Sequence, residues 1–116
     1  MGEGFPKSLR LRKRPQFLRV QGGGVKVSAG PLLALALRND AGVTRLGLTV
    51  STKVGNAVSR VRIRRRLREL FRKRRGGLPV GVDLVLIARG SAKDAEYEAL
   101  VMAFDTIAAR LKGLFP

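Results

Sequence analysis

The sequence predicts an α/β sandwich in which three helices pack on a four-stranded mixed sheet, in the order α-β-β-β-α-β-α. Residues 45–51 alternate apolar and polar side chains, which is the period of a half-buried strand. Residues 57–75 and 97–111 repeat apolar side chains every three or four positions, the period of amphipathic helices. A strand, a helix and a further strand in succession form a βαβ unit, which implies a parallel strand pair.

The N-terminal region holds a short basic segment, residues 10–21, that contains the first predicted helix. Pro15 suits a first helical turn, and apolar residues follow it. Three glycines, 22–24, end it. Residues 1–8 are expected to be frayed.

Three short segments complete the predicted sheet. Residues 25–28 form a possible short strand. Residues 32–37 are apolar throughout and fit either a strand or a helix, but their short length and flanking turns favour a strand. Residues 82–88 read as a buried strand.

The last two helices carry recognisable end signals. Asn56 is a plausible N-cap for the helix over residues 57–75, and two glycines follow that helix. Ser91 with Asp94 resembles a capping box for the last helix. The apolar stripe of the last helix comprises Tyr97, Leu100, Val101, Phe104, Ile107, Ala108 and Leu111.

The charge of the chain is high and unevenly placed. The 116 residues have the size of a single domain and a formal net charge of +16. Residues 1–75 hold 20 basic and 3 acidic side chains, whereas residues 76–116 hold 4 basic and 5 acidic ones. Such a chain repels itself unless a polyanion compensates. Nucleic acid is the expected partner, and an anionic membrane surface is the weaker alternative.

The composition excludes several kinds of chemistry. The chain has no Cys and no His, which removes disulfides, thiolate nucleophiles, Cys/His zinc sites and imidazole bases. Its acidic residues are scattered, so a metal nuclease with paired carboxylates is disfavoured. We expect no catalytic residue, no metal site and no small-molecule substrate in the protein. The absence of Cys fits a cytoplasmic protein, and no apolar run is long enough to cross a membrane.

The helix over residues 57–75 has two distinct faces. From residue 60 to residue 75, ten of sixteen residues are Lys or Arg. The expected core face consists of Ile63, Leu67, Leu70 and Phe71. The expected outer face consists of Ala57, Val61, Arg64, Arg65, Arg68 and Arg72. Guanidinium groups suit phosphates because they are planar, permanently charged and bidentate.

The segment around this helix resembles the signature of the protein subunit of bacterial ribonuclease P. That signature is close to K-x-G-N-A-V-x-R-N-R-I-K-R-x-L-R-E-x-F-R, and residues 53–72 match it in order. Three outlying segments match as well, at residues 11–17, 45–51 and 83–89. The resemblance covers nearly the whole chain, from about residue 9 to residue 112.

The resemblance implies a fold and a function. It implies an α/β sandwich whose βαβ crossover is left-handed, against the usual rule. It implies a catalytic RNA partner that holds Mg²⁺ and removes the 5′ leader of precursor tRNA. The RNA-binding residues carried over by position are Lys53, Asn56, Arg60, Arg62, Arg64, Arg65 and Arg68, and Arg72 extends the same face.

The resemblance also implies a cleft for the single-stranded leader between the first helix and the sheet. Its expected residues are Phe17, Arg12, Lys13 and Leu35. Phe17 would stack on a leader base, although it could instead anchor the first helix to the core. The chain departs from the family pattern at Val61, which replaces an Asn, and at Gln21 and Leu35, which replace aromatic residues. The leader cleft is therefore expected to stack bases weakly.

Two other functions stay open on the residues alone. One is a non-enzymatic basic RNA-binding protein, such as a ribosomal protein or an RNA chaperone. The other is a DNA-binding module that places the arginine helix in a major groove. The outer face offers Arg, Ala and Val rather than the Asn or Gln expected of a base reader, which disfavours DNA.

Overall fold

The computed structural model describes residues 7–116. Its helices are α1 Arg14–Gly23, α2 Ala57–Arg74 and α3 Tyr97–Leu114. Its strands are β1 Val25–Ala29, β2 Leu32–Arg38, β3 Arg45–Val50 and β4 Val82–Ala88. The predicted order α-β-β-β-α-β-α is confirmed. Most of the segment expected to be frayed lies outside the described residues, but Lys7–Leu9 form a short 3-10 turn.

The four strands form one mixed sheet in the order β1-β2-β4-β3. β1 pairs antiparallel with β2, and β2 pairs antiparallel with β4. β3 and β4 are parallel, as the βαβ unit requires, with α2 as the crossover. The mixed sheet is therefore confirmed, while the left-handed crossover stays a prediction.

The two central strands, β2 and β4, are covered on both faces. On one face, α2 and α3 pack over the larger core, to which Leu32, Ala34 and Ala36 of β2 contribute. On the other face, α1 packs over a smaller cluster that includes Leu35. A strand that is buried on both faces has a continuous run of apolar residues. For this reason the pattern of residues 32–37 fits a helix as well as a strand.

The first helix begins at Arg14, so Pro15 lies in its first turn as predicted. Before it, Leu11 N–H donates to the Leu46 carbonyl at 2.9 Å, so this segment runs beside β3. The side chain of Gln16 accepts hydrogen bonds from the backbone N–H groups of Arg12 and Lys13 and so closes the helix N-terminus. The start of the basic segment is therefore paired with the sheet edge and lies outside the helix.

The predicted capping box at the start of the last helix is wrong. Gly90–Asp94 form a 3-10 turn, and α3 begins at Tyr97 after Glu96, whose side chain makes no capping hydrogen bond. The turn buries Ala92 completely. Packing of this small side chain against the core fixes the turn, which displaces the helix start by several residues.

Asp83 is the one buried carboxylate among residues 7–116. Its oxygens accept hydrogen bonds from Nε and Nη2 of Arg45 at 2.8 and 2.9 Å and from Nδ2 of Asn39 at 2.8 Å. Arg19 of α1 adds a contact at 3.5 Å. The hydrogen bond with Asp83 raises the pKa of Arg45, against a smaller opposing effect of burial. The network ties α1, the end of β2, β3 and β4 together at one end of the sheet.

Gly47 of β3 allows α1 to approach the sheet. A Cβ atom at this position would lie 2.7 Å from Cζ of Phe17 and 3.0 Å from Cβ of Leu11. The aromatic ring therefore occupies the space that a side chain on β3 would fill. The absence of a Cβ at Gly47 sets the depth at which Phe17 sits.

Replacing Gly47 by Ala tests this close contact. The added methyl group must displace the Phe17 ring, so we expect Gly47→Ala to lower the free energy of unfolding by about 1–3 kcal/mol. Urea unfolding followed by circular dichroism measures the change. Gly22 is the matched control, because nothing lies within 4 Å of a Cβ there. Gly22→Ala should stabilise α1 by about 0.5–1 kcal/mol, and equal effects at the two positions would contradict the packing argument.

Candidate nucleic-acid interface

The loop before α2 holds the start of the helix in a defined geometry. Gly55 has φ 135°, a conformation that side-chain-bearing residues rarely adopt. Oδ1 of Asn56 accepts a hydrogen bond from Ser59 N–H at 3.0 Å, which confirms the predicted N-cap. Nη1 of Arg60 donates to the Gly55 carbonyl at 2.8 Å. Arg60 therefore braces the loop as well as adding charge to it.

The two faces of α2 lie as predicted. All four residues of the expected core face are buried: Ile63, Leu67, Leu70 and Phe71. Of the expected outer face, only Arg64 is half-buried, and the others are exposed. Val61 exposes 52% of its surface, so a polar residue would fit there without changing the core.

Four arginines from two parts of the chain surround one cavity of about 160 Å³, which we call the basic pocket. Its walls and floor are formed by Arg10, Leu11, Arg12, Leu46, Leu48, Arg64 and Arg68. Two arginines come from the segment that runs beside β3, and two come from α2. The pocket therefore exists only because that segment lies against β3.

The arginines of the basic pocket repel one another. Partial burial lowers the pKa of Arg68, and the charges of Arg10 and Arg64 lower it further. A guanidinium stays protonated under such conditions, so the electrostatic repulsion among these arginines persists in the free protein. A bound phosphate would offset this repulsion and would meet several donors at once.

The far end of α2 is electrostatically different. Oε1 of Glu69 lies 2.9 Å from Nη2 of Arg72 and 3.5 Å from Nζ of Lys73. The hydrogen bond from Arg72 is the largest cause of the lowered pKa of Glu69. Glu69 therefore neutralises part of the positive charge at this end of the helix.

The expected leader residues lie around α1. Arg12 and Lys13 are exposed. Phe17 is half-buried and packs with the smaller core cluster, and Leu35 is 5% exposed beneath it. Phe17 thus anchors α1 while one side of its ring stays accessible. Leu35 contributes packing rather than open surface.

The structure adds two basic residues that sequence reasoning missed. Arg10 lines the basic pocket. Lys93 lies beside the loop before α2, where a Cβ added to Gly55 would come within 3.6 Å of Cδ of Lys93. Neither residue belongs to a local charge pattern on α2. Only the packing of distant segments identifies them.

Removing one charge from the basic pocket should relieve its repulsion. We expect Arg68→Gln to raise the melting temperature by about 2–3 °C at low salt. Added sulfate should raise the melting temperature of this variant less than that of the original chain, because one guanidinium group that would bind sulfate is missing. Arg110→Gln is the control, since it removes an equal charge from an exposed position on α3. Equal responses of both variants to sulfate, in melting curves followed by circular dichroism, would contradict a localised anion site.

Within residues 7–116, none of the helices combines the length and the apolar character that a membrane span requires. The acidic side chains of the same residues form no group of three or more that could hold a metal ion.

Solved structures of bacterial proteins share this architecture. A mutant of the Staphylococcus aureus RNase P protein described as defective in mRNA degradation superposes with a TM-score of 0.84 and 30% identity, covering 91% of this chain and 90% of that one. The RNase P protein from Thermotoga maritima gives a TM-score of 0.80 at 28% identity, covering 87% of this chain and 96% of that one.

Sequence relatives carry the same description. The ribonuclease P protein component of Gluconacetobacter diazotrophicus is 49% identical over 94 residues, which are 79% of this chain and 81% of the relative. The protein component of Citrifermentans bemidjiense is 39% identical over 111 residues, covering 96% and 89%. The family model named Ribonuclease P matches residues 5–112. The chain therefore belongs to the family of ribonuclease P protein components.

Proposed function

We propose that this chain binds the catalytic RNA of ribonuclease P and the 5′ leader of precursor tRNA. In this role it supports the Mg²⁺-dependent endonucleolytic removal of the leader, which gives mature tRNA 5′ ends in the cytoplasm. Membership of the family supports the assignment to a ribonucleoprotein. The observation that carries the RNA contact is the basic pocket together with the outer face of α2.

The catalytic RNA is assigned to α2 and the loop before it. The residues proposed to bind it are Lys53, Asn56, Arg60, Arg62, Arg64, Arg65, Arg68 and Arg72, and we add Arg10 from the basic pocket. A helix held by a buried face presents its guanidinium groups at fixed spacing. Such a surface can follow a phosphate backbone at little entropic cost on binding.

The leader is assigned to the surface beside α1. Arg12 and Lys13 would attract its phosphates, and the accessible side of Phe17 would contact a base. Because Leu35 is buried and no second aromatic residue lies on α1, base stacking rests on Phe17 alone among the expected leader residues. We therefore expect leader binding to depend more on backbone charge than on base identity.

The chemistry is assigned to the RNA and its Mg²⁺. The chain has no His or Cys to move a proton or attack a phosphate. Its one buried carboxylate in the described part, Asp83, is bound by Arg45 and Asn39 and is thus occupied in the fold. In residues 7–116, the acidic side chains form no group of three or more that could hold a metal ion. The protein's side chains would bind and orient the two RNAs.

A cleavage assay tests the proposal. The protein is mixed with a bacterial ribonuclease P RNA and precursor tRNA at low Mg²⁺ and near-physiological salt. We expect faster 5′ cleavage than with the RNA alone, because the protein supplies cations that low Mg²⁺ does not. Arg68→Gln should weaken RNA binding and reduce the slope of log affinity against log salt by about one. Arg110→Gln should leave both unchanged. No gain over RNA alone would refute the function.

The leader assignment has a separate test at Lys13. This side chain is exposed, and Lys13 takes part in the start of α1 through its backbone N–H and carbonyl groups, which a substitution leaves in place. Lys13→Gln should therefore fold normally. We expect it to weaken binding of precursor tRNA to the reconstituted complex by about two- to fivefold. Binding of mature tRNA, which lacks the leader, should not change. An equal loss of affinity for precursor tRNA and mature tRNA would mean that Lys13 does not contact the leader.

A further inference from the structure

The outward side of α2 is apolar rather than charged at the start of the helix. Val58 exposes 70% of its surface and Val61 exposes 52%, and Ala57 beside them is also exposed. Val61 follows Val58 by three positions and Ala57 by four, and side chains at these spacings are neighbours on a helix surface. The three residues therefore form one continuous patch. The patch lies on the side of α2 opposite the core. We call these three residues the apolar patch.

Two arginines adjoin the apolar patch. Arg62 and Arg65 follow it by about one helical turn and line the same open surface depression. Neither forms an ion pair with an acidic residue of the described part of the chain. The depression therefore combines an apolar floor with two guanidinium groups that are available to phosphate.

The patch has no explanation in the stability of the domain. Exposed valines gain almost nothing from burial, and valine is a weaker helix former than Ala, Lys or Arg. Single exposed apolar side chains are ordinary, and Met102 of α3 exposes 70% of its surface. Unlike Met102, Val58 and Val61 are neighbours on one helix and lie beside the arginines of the proposed RNA-binding face.

We propose that the apolar patch binds the flat face of an unstacked base of the partner RNA. Arg62 and Arg65 would bind phosphates on either side of that base. Polar side chains between the two arginines would suit a ligand that offers phosphates alone. An apolar floor instead favours a ligand that carries an apolar surface between two negative charges. A nucleobase flanked by phosphates has this arrangement. The inference rests on the proposed function, which turns α2 toward RNA.

The chemistry of valine sets the specificity of this site. Methyl groups neither donate nor accept hydrogen bonds, so Val58 and Val61 can contact the face of a base but cannot read its edges. Binding through base faces tolerates any sequence. The patch therefore favours single-stranded or bulged RNA over a continuous duplex, whose bases stay stacked, and discriminates little among the four bases.

The experiment compares two probes that carry the same number of phosphates. One is a short oligouridylate, and the other is an abasic oligomer of equal length. The double variant Val58→Asn/Val61→Asn replaces the patch by side chains of similar helix propensity. We expect it to bind oligouridylate about tenfold more weakly and the abasic oligomer as before. Met102→Gln, at an equally exposed apolar side chain on α3, should change neither affinity.

Three outcomes would overturn the proposal. They are an unchanged oligouridylate affinity, an equal loss for both probes, and a loss confined to anionic phosphatidylglycerol vesicles, which would assign the patch to a membrane surface. If the double variant melts early, Val58→Ala/Val61→Ala keeps the helix and still shrinks the patch, and the same comparison applies. The cleavage assay is separate. If the original chain accelerates cleavage and the double variant still prefers oligouridylate over the abasic oligomer to the same degree, the proposed function stands. Only the inference about the apolar patch is then refuted.

Discussion

Burial of the apolar face of α2 is the interaction on which the rest of the structure depends. Like charges on neighbouring turns of a helix cost about 0.2–0.5 kcal/mol per pair, and α2 contains several such pairs. Burial of Ile63, Leu67, Leu70 and Phe71 contributes about 1.5–3 kcal/mol for each side chain. The second quantity exceeds the first, so the helix stays folded on the sheet with its arginines directed outward.

The smaller core on the other face of the sheet has a complementary role. Gly47 admits the Phe17 ring, and Asp83 joins Arg19 of α1 to Arg45 of β3. These contacts hold α1 and the segment before it against the sheet. As a result Arg10 reaches the arginines of α2, and charges that are far apart in the chain become one anion-binding surface.

The arginines differ in the partners that they have within the fold. Arg45 and Arg74 bind the carboxylates of Asp83 and Asp105 and so stabilise the scaffold. Arg60 belongs to the proposed RNA-binding set and also donates to the Gly55 carbonyl. The arginines of the basic pocket carry a mutual repulsion that a polyanion would offset. Stability and RNA affinity are thus assigned to sets of arginines that overlap only in part.

The sequence by itself determined the elements, the two faces of α2 and the family signature, because periodicity, capping and a contiguous motif are local properties. Only the tertiary structure decided that the segment before α1 runs beside β3, that Asp83 is buried in an arginine network, and that Ser91 and Asp94 belong to a turn rather than a cap. It also decided that Arg10 and Arg12 face Arg64 and Arg68. These features arise from contacts between segments distant in the chain, and no local pattern encodes such contacts.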